Sequence, residues 1–419
     1  MDVLDGSYLA AVTLAGCIAR AVARGLPENW RLRLRAAGPG GGPGWIWVQA
    51  VSVGELLLAE GIVGRLRDAG HRVHVTTGTG TGLALLEQRL PGWDRGTGRV
   101  TGGAFPLDDP PGLAPFLRCP PGAYLSLETE IWPNLLRQLA ARGIPACIVN
   151  GRLTERSLRR GRAWMARAAS RLSLVAARDE ASLEGFRRLG APRAVLGGNL
   201  KADLPPPRPL HPAWAFLREA WRPDPVLVAG NTVDTEEDLV LDSWTRAREA
   251  HPGLRLVLAP RQPRRFQPAA DLLAARSLRF RRASGPWPDG PGPWAETDIL
   301  LLDTLGELAA AYGEGTLAVV GGGWAWQGGH NPLEPVAWGL PTLLGPGFDN
   351  FADLVLPLRA AGLLEVVPAG ELAGAVARVL GGASLRPGAE GRPVRLPEGL
   401  QGTLEKTWEF VTNIIPAPR

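Results

Sequence analysis

The densest grouping of residues able to do chemistry is Val319–Asn350, which reads VVGGGWAWQGGHNPLEPVAWGLPTLLGPGFDN. The apolar run Thr316–Val320 reads as a buried strand ending in Gly321, Gly322 and Gly323. Glycines at the carboxyl end of such a strand let the backbone approach a ligand closely. A second pair, Gly328 and Gly329, leads into His330 and Asn331, with Pro332 where a first helical turn tolerates it. The pattern predicts a helix N-terminus aimed at a cleft, where amides and dipole favour phosphate and Glu334 accepts from sugar hydroxyls. The bland alternative is an ordinary βαβ unit with glycine turns. The concentration of Gly, His, Asn, Pro and Glu in one strand-to-helix turn favours the ligand site.

Three further places carry acid, base or anion-binding chemistry. Glu55 follows the strand-like run Trp45–Val51 through Ser52-Val53-Gly54, at the start of a helix over Leu56–Leu66. A strand end of this kind is where α/β sheets place ligands, although an acid at a helix start also complements the dipole. Glu128 and Glu130 follow the strand Ala123–Leu127, and two carboxylates one residue apart on a strand share a face that belongs to a cleft more readily than to a core. The pattern leaves open which of them acts. Arg261 stands directly after the strand Leu254–Ala259 and suits a phosphate or carboxylate, and Lys201 is one of only two lysines in the chain. The turn Gly78-Thr79-Gly80-Thr81-Gly82 is of a kind that approaches anions, but a lone turn of this type is a weak signal.

The elements that must position these residues alternate between strand and helix over 419 residues, 45% of them hydrophobic, which is enough for two α/β domains with a core each. The proline-rich stretch Pro205–Pro212 marks the boundary, giving domains over 1–203 and 204–400 and a last amphipathic helix, Leu404–Ile415, within 401–419. Cys17, Cys119 and Cys147 lie far apart with no metal-ligand spacing, so neither a disulfide nor a zinc site is expected. Residues 1–200 hold 25 arginines and 16 acids, a net +9, leaving 21 basic residues against 25 acids for the rest. That asymmetry suits an anionic surface, and without a nucleic-acid motif it favours lipid over nucleic acid, beside the alternative of a solvated basic face. Seven arginines between Arg152 and Arg171, around Leu158, Met165 and Leu172 at helical spacing with Glu155 the one acid, predict a helix with one core stripe. Tyr8–Val22 is a mildly apolar segment of about fifteen residues, short of the about 20 that a span needs, and reads equally as an interfacial anchor or a first packing helix.

Six separated segments then occur in the order found in the Kdo (3-deoxy-D-manno-octulosonic acid) transferases, and the chain resembles that family from about Gly44 to Asp353. They are Ser52–Glu55, Glu128–Leu136, Gly198–Lys201, the frame Pro260–Phe266, Asp303–Leu308, and Gly328–Pro335 with Gly345, Pro346, Asn350 and Phe351 behind it. The resemblance implies a glycosyltransferase-B fold, two Rossmann-like domains facing across a cleft, with the terminal helix crossing back to the first. It implies inverting transfer of Kdo from CMP-Kdo to a lipid A precursor in lipopolysaccharide biosynthesis, at the cytoplasmic face of the inner membrane. Glu55 matches the family's catalytic base, with Glu130 and Lys201 beside it. Arg261, Gly306, Glu307, Gly322, Asn331 and Glu334 match the donor side. No cofactor or metal is expected, because one leaving phosphate can be met by backbone and cations.

Asn231, Val233, Gln262 and Gly347 depart from the family's usual residues. They keep two alternatives in view: a transferase of the same fold with another donor or acceptor, and a binding module without turnover. Release of CMP or UDP from the corresponding sugar nucleotides separates them. The acceptor's identity, the number of sugars moved and the oligomeric state are not encoded in these motifs.

Overall fold

Short runs such as Ile46–Gln49 (IWVQ) and Ala123–Leu127 (AYLSL) are buried along their whole length, as strands of a parallel sheet covered on both faces must be. The computed structural model describes residues 3–40, 42–153, 162–203, 210–382, 394, 396–397 and 400–418. It divides into one unit of Met1–Asp203 with Gly402–Arg419 and a second of Leu204–Gln401.

Unit one carries strands β1 (Ile46–Gln49), β2 (Val73–Thr77), β3 (Val100–Ala104), β4 (Ala123–Leu127), β5 (Ala146–Gly151), β6 (Leu174–Ala177) and β7 (Ala194–Leu196). They form one parallel sheet in the order β3-β2-β1-β4-β5-β6-β7. Its helices are α1 (Val3–Ala21), α2 (Glu28–Leu34), α3 (Val53–Asp68), α4 (Gly80–Asp94), α5 (Pro110–Leu117), α6 (Pro133–Ala140), α7 (Arg162–Ala169) and α8 (Glu180–Arg188). Alternate side chains of β1 feed two cores. Ile46 and Val48 join Leu56, Ile62 and Val411 of the terminal helix Thr403–Thr412. Trp47 faces the other way and stacks on Phe116 with centroids 4.6 Å apart.

Helix α1 begins at Val3, five residues earlier than the apolar pattern alone indicates, and by length and composition it is long enough to cross a membrane. Only Gly16 and Ala19 on it are buried, so apolar burial, worth about 1.5–3 kcal/mol for a whole large side chain, is not what holds it. Polar contacts do: Tyr8 donates to Asp108 Oδ2 at 3.0 Å, Arg20 pairs with Asp109, and Asp5 pairs with Arg171. Leu14, Ile18 and Val22 point to solvent. In the arginine-rich segment Met165 and Leu172 pack into the core as expected, whereas Glu155 and Leu158 lie outside the described residues. The greater part of the proline-rich linker, at 204–209, lies outside them too.

Unit two repeats the plan. Strands β8 (Val226–Thr232), β9 (Arg255–Pro260), β10 (Phe280–Arg282), β11 (Ile299–Leu301), β12 (Leu317–Val320), β13 (Thr342–Leu344) and β14 (Leu364–Val366) make a parallel sheet ordered β10-β11-β9-β8-β12-β13-β14. Around it lie α9 (Trp214–Trp221), α10 (Glu236–Ala250), α11 (Phe266–Ala275), α12 (Leu333–Ala337), α13 (Ala352–Ala360) and α14 (Leu372–Leu380). In each unit the strand order reverses once, between β1 and β4 and between β8 and β12. Connections leave such neighbours toward opposite faces, so a crevice opens at their carboxyl ends, where doubly wound sheets bind ligands.

Candidate active site

The crevice of unit one collects acids from both sides of the reversal. Ser52 caps α3 and its Oγ accepts from the Glu55 amide at 3.4 Å, while the Glu55 carboxylate reaches back to the Val51 amide at 2.7 Å and the Ser52 hydroxyl at 3.0 Å. This is capping-box geometry, and hydrogen bonds of that kind lower a carboxyl pKa. Burial outweighs them: the Glu55 carboxyl is pushed above its ordinary value, with Glu128 adding to the rise and Lys201 opposing it. A residue that merely capped a helix would sit in water with a depressed value. Glu55 is therefore a cap that has been drawn into a desolvated cluster.

The expectation that Glu128 and Glu130 share the face of a strand is corrected. β4 stops at Leu127, and Glu128 adopts φ +56°, which turns the chain out of the sheet. The two carboxylates then part. Glu128 lies 3.8 Å from the Lys201 ammonium. Glu130 is pushed up to about 7, first by burial and then by the Glu55 charge, with Arg33 pulling the other way. Lys201 is placed by its own turn, where Asn199 Oδ1 accepts from the Lys201 amide and Asn150 Oδ1 from the Leu200 amide, each at 2.9 Å. Glu55, Glu130 and Lys201 thus stand in one electrostatic group, to which Glu128 also belongs.

Two residues of this group escape a sequence reading. Arg33 comes from α2, lies 4.6 Å from the Trp132 ring and 5.5 Å from that of Phe105, and donates to Pro106 O at 2.9 Å. Nothing in the run Arg31, Arg33, Arg35 separates it from its solvated neighbours. Asp108 is buried and accepts from the amides of Asn134 and Leu135 and from Tyr8; burial nonetheless pushes it up to about 7. The glycine-threonine turn acts as a brace for Val51. Its Gly80 amide donates to Asn29 Oδ1 at 3.0 Å, and Thr77, Thr79 and Gly78 all donate to the carbonyl of Val51, the residue whose amide holds Glu55.

In unit two, Gly322 takes φ +85° and its amide donates to Glu236 at 2.6 Å. The His330 ring covers it so closely that a Cβ on Gly322 would lie 2.5 Å from the ring. The His330 Nε2 is buried and has no hydrogen-bond partner among the described residues, and burial, aided by Arg261, lowers its pKa to about 4. Glu334 is pushed up by burial and held back by the same Arg261. Arg261 itself is exposed, and its guanidinium makes no hydrogen bond or ion pair among the described residues. Gly322, Arg261 and Glu334 are therefore brought together around His330. The expected helix start is there but short: α12 spans five residues, Pro332 is its N-cap, and Asn331 Oδ1 already accepts from the Leu333 amide at 3.0 Å. A single turn has little dipole to offer.

Gly306, at φ +93°, and Glu307 form a separate turn at the carboxyl end of β11, where Glu307 accepts from the His211 amide at 3.3 Å and from the Thr304 hydroxyl. The departures from the family pattern find local reasons. Asn231 sits at φ +59°, which Asn tolerates, and Val233 contributes only its amide, to Glu236 at 3.1 Å. Thr232 Oγ1 is bound to Glu237 at 3.2 Å. A Cβ on Gly347 would meet Trp326 O at 2.3 Å, so no side chain fits there. Gln262 is exposed, and nothing in the structure explains the residue.

Residues 28–204 match the family model described as 3-deoxy-D-manno-octulosonic-acid transferase (kdotransferase). The 3-deoxy-D-manno-octulosonic acid transferase of Haemophilus influenzae is 35% identical over 335 residues, 77% of this chain and 76% of that one. That of Bordetella pertussis is 35% identical over 342 residues, 79% and 78% of the two chains. Among solved structures, a UDP-GlcNAc 2-epimerase from Neisseria meningitidis bound to UDP-GlcNAc is similar with a TM-score of 0.56 at 12% identity, over 88% of this chain and 99% of that one. At that identity the likeness is one of fold, the two-domain glycosyltransferase-B architecture.

Proposed function

The chain belongs to the 3-deoxy-D-manno-octulosonic acid transferase family, and from that membership we propose that it is the glycosyltransferase moving Kdo from CMP-Kdo to a lipid A precursor, with inversion. The observation that carries the reading is the Glu55 carboxylate, fixed by Val51 and Ser52 yet raised in pKa by burial. A base held at 2.7 Å and 3.0 Å by its own helix start is oriented before the acceptor arrives. It takes the proton of an acceptor hydroxyl, the oxygen forms its bond to the anomeric carbon, and the bond from that carbon to the phosphate oxygen breaks, its electron pair leaving with CMP. Lys201 and Arg33 limit the repulsion among Glu55, Glu128 and Glu130. Arg261 meets the negative charge of the leaving phosphate, so the reading needs no metal ion.

An anionic lipid acceptor agrees with the basic first half of the chain and with the apolar residues that α1 leaves in solvent. We place the protein at the cytoplasmic face of the inner membrane, associated through that helix, and expect no nucleic-acid partner. The test is incubation of the purified protein with CMP-Kdo and a defined lipid A precursor, following CMP release and the mass of the lipid. An acceptor gaining one or more Kdo masses is the expected result. CMP release without lipid product, or release of UDP from UDP-sugars instead, overturns it.

A further inference from the structure

The crevice between β8 and β12, where a doubly wound sheet offers its ligand site, is filled by the protein itself. Glu236, in the first turn of α10, is 1% exposed, and its carboxylate accepts from four backbone amides. Oε2 takes Gly322 at 2.6 Å and Val233 at 3.1 Å; Oε1 takes Trp324 at 2.9 Å and Ala325 at 3.1 Å. Successive amides turned inward in this way form a nest that binds an anion. Here the anion is a side chain. The packing leaves no room for another, since a Cβ on Gly321 would lie 2.6 Å from both Asn231 O and Thr232 Cα and 2.8 Å from Glu236 Oε2.

We propose that Glu236 is the positioning residue of the donor site: it occupies the glycine nest as a built-in anion, fixes the loop Gly321–Ala325, and leaves the donor's phosphate to Arg261. The loop in turn places His330. Gly322 O accepts from the Gly329 amide at 3.0 Å, and the His330 ring rests on Gly322. Arg261 acts electrostatically on both His330 and Glu334, and the Glu236 carboxylate lies on the far side of Gly322, bonded to its amide. A neutral imidazole whose buried Nε2 has no partner among the described residues thus stands near a guanidinium that is likewise unpaired among them, which suits a sugar nucleotide carrying one phosphate and a carboxylate. The assignment of Glu236 to the loop rests on these contacts alone; the assignment of the phosphate to Arg261 rests on the CMP-sugar reading above.

Two measurements test it. The first is amide hydrogen exchange of Gly322, Trp324 and Ala325 in the intact protein, with and without CMP. The expected result is slow exchange in the free protein, unchanged by CMP. Fast exchange that slows only when CMP is added shows that the nest belongs to the nucleotide and overturns the proposal. If CMP does not bind, the CMP-sugar reading fails, while slow exchange in the free protein still upholds the role of Glu236. The second is Glu236→Gln, in which an NH2 group must face two of the four amides. Loss of those bonds raises KM for the donor by about tenfold, leaves KM for the acceptor alone, and lets the His330 resonance titrate nearer its ordinary range. A Gln variant with the parent's donor KM and His330 titration overturns the proposal, and if that variant does not fold, the exchange measurement on the parent decides.

Discussion

The Lys201 ammonium lies 3.8 Å from the Glu128 carboxylate, and its charge also lowers the pKa of Glu55. One cation therefore serves two acids from different strand ends. Replacing it, Lys201→Met, removes an opposite charge and so disfavours ionised Glu55, whose pKa rises further. The acid limb of kcat/KM against pH should move to higher pH, with thermal stability close to the parent's. A profile that overlays the parent's would assign Lys201 elsewhere.

Glu55→Gln keeps one oxygen for the Val51 amide and places an NH2 against the Ser52 hydroxyl, so the start of α3 survives. What is lost is the ability to accept a proton, a contribution of about 10²- to 10⁴-fold for a positioned base. Transfer should fall within that range while Tm and CMP binding stay near the parent's. Turnover within a few-fold of the parent reduces Glu55 to a helix cap and directs the search for the base to Glu130.

Glu130 gives a stability signature. Its folded pKa of about 7 lies above the ordinary value, so its contribution is fully present below about pH 4.5 and is lost as pH rises through 7. Glu130→Gln cannot ionise. The Tm of the variant minus that of the parent should increase from pH 5 to pH 8. A difference that does not change over this range means that Glu130 ionises at little cost and that burial does not dominate its titration.

Arg261→Ala should raise KM for the CMP-sugar without moving Tm, because the side chain is exposed and no fold contact is given up among the described residues. A drop in Tm with unchanged donor KM would make Arg261 structural.

The net +9 of residues 1–200 and the exposed Leu14, Ile18 and Val22 predict reversible binding to anionic vesicles. Exposed charge is screened over about 8–10 Å at physiological salt, so binding should weaken as salt rises. Salt-insensitive binding, equal on neutral vesicles, would leave α1 as a purely apolar anchor.

The inner strands and the first acids were legible in the sequence for one reason: they sit where both faces of a sheet are buried, so composition is constrained on every residue. Ala123–Leu127 reads at its observed boundaries. β3, β10 and β14 were not legible, and all three are sheet edges, where sequences such as VTGGA, FRR and LEV need only half a buried face. The glycine clusters were visible, but not what fills them. Nothing local to Glu236 distinguishes it from Glu237 and Asp238 in an acidic first turn; the distinction arises from strand ends 86 residues away. The left-handed turn at Glu128 was hidden similarly, since Glu, unlike Asn or Asp, is not a residue from which φ +56° is expected.

One carboxylate, that of Asp203, accepts from the Thr403 hydroxyl and the Leu404 amide, and Val411 then completes the core begun by Ile46 and Val48. The helix Thr403–Thr412, which follows every strand of unit two along the chain, is thus a structural part of the first unit. A ribosome that has released every strand of unit two still holds the segment that unit one needs to bury its face. The order of synthesis and the order of completion are opposite: the unit translated first is finished last. Until that segment emerges, the groove awaiting Leu404, Trp408 and Val411 stays open as apolar surface of the first unit.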